Sequence, residues 1–111
     1  MLVDKPSPPQ GPLKVLETSP TSIKVQWKVP KDDGGRPISH YALETREVGS
    51  DRWRRYSGHV TSVSLTPSTN IMFLRRNKDY YVRVMAVNSE GESEPLATDS
   101  PHTTKYPFGK S

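Results

Sequence analysis

Apolar and polar residues alternate with a period of two along three stretches of the chain, residues 22–29, 40–47 and 79–88. In the first stretch, "SIKVQWKV", one face carries Ile23, Val25, Trp27 and Val29. Successive side chains of a strand point to opposite faces, so this period predicts half-buried antiparallel β-strands. No window of the sequence shows a convincing helical period.

Weaker signals predict further strands at residues 13–18 and 52–57, and a last strand around 96–104. Between these, residues 62–65 and 69–74 are alternative candidates for one more strand. About seven short strands separated by turn signals are typical of a β-sandwich. We therefore predict an all-β sandwich of seven antiparallel strands.

The loop "PKDDGGRPI", residues 30–38, separates two of the predicted strands. Its prolines interrupt ladder pairing, and Gly34 and Gly35 permit positive φ. The side chains of Asp32 and Asp33 can accept hydrogen bonds from nearby backbone amides. These features predict a stiff corner between the two sheets. A contact role remains an alternative, since loops at the end of a sandwich often bind.

Several motifs, in this order and spacing, resemble the fibronectin type III family over roughly residues 8–105: "PPQGP", "IKVQWKVP", "ISHYALE" and "FLRRNKDYYVRVMAVNSEGESEP". The resemblance implies an immunoglobulin-like sandwich with a tyrosine corner, in which the Tyr80 hydroxyl bonds backbone near Leu74. The core residues expected on this basis and from the alternation are Trp27, Tyr41, Leu43, Leu74, Tyr80, Val82 and Val84.

A narrower resemblance links residues 30–53 and the ending "TKYPFGKS" to giant muscle proteins of the titin and twitchin kind. The segment from Trp53 to Leu74 is a few residues longer than this resemblance implies, and the adjacent Arg75 and Arg76 depart from it. We expect residues 1–7 to be a linker or an added leading segment. The domain would then span 8–105, and 106–111 would begin the linker to a following domain.

The 111-residue length suits one domain, and the chain has no cysteine, which excludes disulfides and cysteine-based zinc sites. It also lacks an Asn-x-Ser/Thr sequon and any apolar run long enough to span a membrane. These features favour an intracellular protein. An extracellular adhesion or receptor module is the alternative.

The sequence offers little for catalysis. Asp51, Ser57 and His59 lie close together but without a nucleophile elbow or an oxyanion loop. The histidines at 40, 59 and 102 are scattered, and the Asp32–Asp33 pair lacks the spacing of a calcium loop. We predict that the chain is not an enzyme and uses no cofactor and no metal.

The net charge of +4 raises the question of nucleic acid, because Trp53, Tyr56 and Tyr81 lie among arginines and could stack on bases. We instead expect Trp53 to pack at a sheet edge with an arginine on its face. The predicted binding partners exclude nucleic acid and membranes.

The function that the resemblance implies is that of a spacer and binding surface along the thick filament of the sarcomere, in the A-band. Its partners would be neighbouring immunoglobulin or fibronectin type III domains and myosin or another thick-filament protein, with the domain itself monomeric. The candidate partner surface consists of outward positions on one sheet: Glu44, Arg46, Arg54, Tyr81, Arg83 and Met85. An ordinary solvent-exposed face is the alternative for these residues.

Overall fold

The computed structural model describes residues 2–61 and 63–107 and folds them into two antiparallel sheets. The first sheet contains, in spatial order, β1 (Gln10–Ser19), β2 (Ser22–Lys28) and β5 (Ser68–Ile71). The second sheet runs from β4 (Arg54–Arg55) through β3 (His40–Glu47) to β6 (Asp79–Asn88). The remaining edge of β6 pairs with three short segments, β7 (Gly91–Glu92), β8 (Leu96–Ala97) and β9 (His102–Thr103).

These three short segments occupy a single strand position. From β7 to β9, the paired residues lie progressively closer to the start of β6. Glu92 is opposite Val87, Leu96 is opposite Val84 and His102 is opposite Tyr80. The prolines at 95 and 101 lie in the interruptions, where the missing N–H prevents ladder pairing. The nine segments thus fill seven positions, and the predicted all-β sandwich is confirmed. Within the described ranges, no helix is long and apolar enough to cross a membrane.

The segment between β4 and β6 differs from a regular strand pattern. Of the two candidates there, the second, residues 69–74, overlaps β5 at residues 69–71, while residues 63–65 form no strand and Ser62 lies outside the described residues. The carbonyl oxygens of Pro67 and Leu65 accept hydrogen bonds at 3.0 Å from the amides of Trp27, in β2, and Val29, just after it. Pro67 has no N–H with which to continue the ladder. The predicted strand at 52–57 is reduced to the two residues of β4.

The core lies between the sheets and is built from the alternating apolar positions. Trp27 and Tyr41, each 1% exposed, meet edge to face with ring centroids 5.2 Å apart. Other buried members of this core are Leu13, Ile23, Val25, Leu43, Ile71, Tyr80, Val82, Val84 and Ala86. Leu74, which we expected in the core, is partly buried and packs against it.

The turn that leads into β6 is held by the side chain of Tyr80. Its hydroxyl accepts a 2.9 Å hydrogen bond from the Arg75 amide, beside Leu74, as the tyrosine corner requires. The fully buried Thr104 joins the chain's exit to the same turn, because its amide donates to the Lys78 carbonyl at 3.0 Å. The turn and the exit are therefore fixed to each other.

Candidate protein-interaction surfaces

The outer face of the β4–β3–β6 sheet carries alternating arginine and aromatic side chains, Arg46, Trp53, Tyr81 and Arg83. We call this set the arginine–aromatic stack. The Arg46 guanidinium lies 4.8 Å from the Tyr81 ring centroid and 5.4 Å from that of Trp53. The Arg83 guanidinium lies 4.2 Å from the Trp53 centroid. Each is a cation–π distance, so the expected arginine on the face of Trp53 is confirmed.

Glu44 connects this stack to an ion-pair network. One of its carboxylate oxygens lies 2.7 Å from Arg83, and the other lies 3.2 Å from Arg55. Arg55 also forms a two-pronged hydrogen bond with Glu92. That hydrogen bond lowers the pKa of Glu92 below its ordinary value of 4.5 and raises the pKa of Arg55.

The strand register corrects two members of the predicted partner surface. Arg54 lies opposite Thr45, which is buried between the sheets, so Arg54 is on the inner side of its strand. Arg55, which was not among the predicted surface residues, lies opposite the outward-facing Glu44. Because β4 has only two residues, it shows no alternation from which the outward-facing residue could be predicted.

Met85 also does not belong to the predicted partner surface, because only 4% of it is exposed and it cannot offer an apolar contact. Met85 pairs with Ala42 of the neighbouring strand. Along the outer face of β6 it lies between Arg83, which pairs with Glu44, and Val87, which pairs with Glu92. The Arg55 side chain bonds both Glu44 and Glu92, which lie on either side of Met85, and therefore passes over Met85. The structure thus brings Glu44, Arg46, Tyr81 and Arg83 together on one face without Arg54 and Met85.

The charge on this face is largely engaged within the molecule. Arg83 and Arg55 are paired with carboxylates, and the Arg46 side chain donates to the Ser50 carbonyl at 2.6 Å while it contacts two rings. A partner would therefore meet a rigid surface of rings and guanidinium planes rather than a set of free positive charges.

A second surface lies at the end of the sandwich where the chain enters. The corner loop, residues 30–38, has the predicted local geometry. The amides of Gly34 and Gly35 donate to the side chains of Asp32 and Asp33 at 2.8 Å, and the two glycines have φ of 77° and 84°. The corner is thus rigid for the reasons that its sequence indicated.

The leading segment, residues 4–7, is hydrogen-bonded to this corner loop. The Asp4 amide donates to the Gly34 carbonyl and the Ser7 amide to the Asp32 carbonyl, both at 2.9 Å. The Ser7 hydroxyl accepts from the Asp32 amide at 2.9 Å. Pro6, between them, is buried. Four residues of the expected linker are therefore attached to the sandwich.

Asn88, at the end of β6, joins the leading segment and the corner loop. Its side-chain amide donates to the carbonyl oxygens of Asp4 and Asp33, at 2.8 and 2.7 Å. A Cβ at Gly34 would clash with the Asp4 carbonyl, so this approach needs glycine for space as well as for φ. Asn88 is the last residue of the strand predicted over residues 79–88, but its long-range partners could not be read from the pattern.

The structure also places the residues that we considered for chemistry. His40 and His59 are not scattered, because their rings stack with centroids 4.8 Å apart. No group of three or more metal-ligating side chains occurs within residues 2–61 and 63–107. The exit of the chain is described as far as Pro107, with Tyr106 exposed, and the rest of the expected linker, residues 108–111, lies outside the described residues.

These features define the class of protein. Residues 7–99 match the family model of the fibronectin type III domain. The chain therefore belongs to the fibronectin type III family, as its motifs indicated.

Two relatives of the chain are the muscle proteins titin and myosin-binding protein C. A segment of titin from Drosophila melanogaster is 36% identical over 104 residues, which cover 94% of this chain and 1% of that protein. The fast-type myosin-binding protein C of Mus musculus is 32% identical over 100 residues, 90% of this chain and 8% of that protein. The chain spans only a small part of the length of these relatives.

Solved structures give the same picture. A crystal structure of successive titin domains superposes with a TM-score of 0.80 at 32% identity, covering 93% of this chain and 33% of that one. The twitchin kinase region from Caenorhabditis elegans superposes with a TM-score of 0.80 at 28% identity, covering 96% of this chain and 18% of that one. The resemblance to domains of giant muscle proteins is thus confirmed.

Proposed function

We propose that this chain is a non-enzymatic structural module of a large multidomain muscle protein, where it acts as a spacer between neighbouring domains. The observation that carries this proposal is the attachment of the leading segment to the corner loop and Asn88. A spacer transmits orientation only if its connection to the preceding domain is stiff. Hydrogen bonds from Asp4 onward hold the chain that enters the sandwich against the corner loop.

The relatives support a location in the sarcomere, since titin and myosin-binding protein C are muscle proteins. The A-band, with immunoglobulin or fibronectin type III domains as covalent neighbours, is the location that we propose. We propose residues 8–105 as the core domain, with residues 4–7 forming its fixed connection to the preceding domain.

The spacer proposal can be tested by displacing the leading segment without disturbing the core. Gly34→Ala would force a Cβ against the Asp4 carbonyl, whereas Gly49→Ala places a Cβ in open space. Both positions have positive φ, 77° and 94°, so the two variants share the same kind of backbone strain. We expect only Gly34→Ala to raise the backbone mobility of Asp4 and Ser7 in ¹⁵N relaxation. Equal mobility in the two variants would contradict the proposal.

A second proposed function is binding of a thick-filament protein, with myosin as the candidate, through the outer face. The half-buried arginine–aromatic stack favours this, because arginine and aromatic residues are enriched in protein interfaces. The proposed contact residues are Arg46, Tyr81 and Arg83, with Glu44 holding Arg83 in place.

Co-sedimentation with purified myosin filaments tests this second proposal. Arg46→Glu and Tyr81→Ala each remove part of the stack, and Lys14→Glu on exposed β1 is a matched change of charge elsewhere. We expect the first two variants to bind less than the wild type and the third to bind equally. Unchanged co-sedimentation of the folded Arg46→Glu variant would reject the outer face as a binding surface.

A further inference from the structure

A groove runs along the open side of the sandwich, between β4 of one sheet and β5 of the other. We call it the edge groove. Its volume is about 290 Å³, and its floor includes the core residues Ile71 and Tyr80. This volume lies at the lower limit of small-molecule pockets and suits a few side chains rather than a cofactor.

The apolar part of the edge groove is unusually exposed. Phe73 is 87% exposed and Met72 is 45% exposed, and both line the groove next to the partly buried Leu74. Phe73 also has φ of 65°, a conformation that is strained for a bulky residue. The backbone thus holds an aromatic ring in solvent beside a groove, and strained conformations of this kind cluster at functional sites.

The rim of the edge groove is positively charged. Arg52, Arg54 and Arg75 line it, and none of the three forms an ion pair with another described residue. Glu47 is the acidic residue on the lining. This differs from the outer face, where the arginines are engaged by Glu44, Glu92 and aromatic rings.

We propose that the edge groove binds an extended, acidic segment of a protein partner that inserts an apolar side chain beside Phe73. The unpaired arginines supply charge complementarity, and Phe73 and Met72 supply the apolar contact. Nucleic acid fits less well, because single-stranded binding uses several aromatic platforms along a basic track. Among the described lining residues, only the Phe73 ring is largely exposed, whereas Tyr56 is half-buried and Tyr80 is buried. The site adjoins the outer face at Arg55, which lines the groove and pairs with Glu44 and Glu92, and it does not depend on the spacer function.

The probe for this site is a short, fluorescein-labelled peptide in which glutamate alternates with leucine and phenylalanine, measured by fluorescence anisotropy. Arg52→Glu/Arg75→Glu reverses two rim charges, and Lys14→Glu/Lys28→Glu makes the same change of net charge on the exposed face of the other sheet. We expect the first pair to weaken binding at least about tenfold and the second to change it less than about twofold. Equal losses in the two pairs would mean non-specific attraction and would overturn the site.

Phe73→Gly tests the apolar contact without risk to the fold, because glycine adopts the φ of 65° without strain. We expect this variant to melt no lower than the wild type and to bind the peptide several-fold more weakly. Chemical-shift changes in ¹⁵N spectra should concentrate at residues 45–57 and 71–75.

Three further results would overturn the proposal. The first is absence of peptide binding to the wild type at millimolar concentration. The second is tighter binding of an oligothymidine of similar length, which would indicate a nucleic-acid site. The third is self-association in sedimentation velocity that Phe73→Gly abolishes, which would make a second copy of the chain the occupant.

Discussion

The side-chain amide of Asn88 donates a 2.8 Å hydrogen bond to the carbonyl oxygen of Asp4, a residue 84 positions earlier in the chain. The same amide group donates to the Asp33 carbonyl at 2.7 Å. One buried side chain therefore joins the end of β6, the corner loop and the leading segment. Buried polar groups are costly unless they are paired, so this arrangement ties the stability of the fold to the position of the incoming chain.

Replacement of Asn88 by alanine should lower the free energy of unfolding by about 1–3 kcal/mol, because two carbonyl oxygens lose a donor. Urea unfolding followed by tryptophan fluorescence gives this value. Asn70→Ala, on the exposed part of β5, is the control and should stay within about 0.5 kcal/mol of the wild type. Equal effects of the two substitutions would show that the Asn88 hydrogen bonds contribute nothing.

Two adjacent tyrosines give a matched test of the tyrosine corner. Tyr80→Phe removes the acceptor of the Arg75 amide and should cost about 1–3 kcal/mol. In the described part of the chain the Tyr81 hydroxyl makes no hydrogen bond, so Tyr81→Phe should change stability by less than about 0.5 kcal/mol. Chemical denaturation of both variants decides the point. A Tyr80→Phe protein as stable as Tyr81→Phe would show that the corner does not stabilise the turn.

The two tryptophans should differ in the same way. Trp27 is 1% exposed in the core, and Trp27→Ala should cost about 3–5 kcal/mol, much of the stability of a domain of this size. Trp53 lies half-buried on the outer face, and its loss removes chiefly the contacts with Arg46 and Arg83, worth about 0.5–1 kcal/mol each. Thermal melts by circular dichroism should therefore show a far larger decrease for Trp27→Ala. A melting temperature of Trp27→Ala within about 2 °C of the wild-type value would contradict the placement of the core.

Stability should also depend on pH through Tyr41. Burial raises the pKa of Tyr41 above its ordinary value of 10.0. The folded state then keeps the phenol proton at a pH where the unfolded chain releases it, so stability is intact below pH 10 and falls as the pH rises further. Tyr41→Phe removes this dependence. Between pH 9 and 11, about one unit on either side of the ordinary pKa, its melting temperature should therefore decrease less than that of the wild type. Parallel slopes for the two proteins would refute the prediction.

The sequence revealed most of the fold because alternation reports burial directly. Ile23, Val25 and Trp27 lie on one side of β2 as their spacing predicts, and all three are buried. Tyr80 could be assigned to a corner because its partner lies a few residues away along the chain.

The candidate surfaces were harder to predict because they depend on register and on distant contacts. Arg54 lies opposite the buried Thr45 and Arg55 lies opposite the outward-facing Glu44. Because β4 is so short, the sequence does not indicate which of the two arginines faces outward. Met85 has an outward position, but the Arg55 side chain that crosses above it comes from another strand and pairs with Glu92. The attachment of Asp4 to Asn88 likewise brings together opposite ends of the sequence.

The central claim is that the leading segment moves as one body with the sandwich. The most direct test is the ¹⁵N order parameter of the Asp4 and Ser7 amides, both of which donate to the corner loop. We predict values near those of β6 in the core, about 0.85. Values below about 0.6, as in a free chain end, would contradict the account and leave the module without a stiff connection to its neighbour.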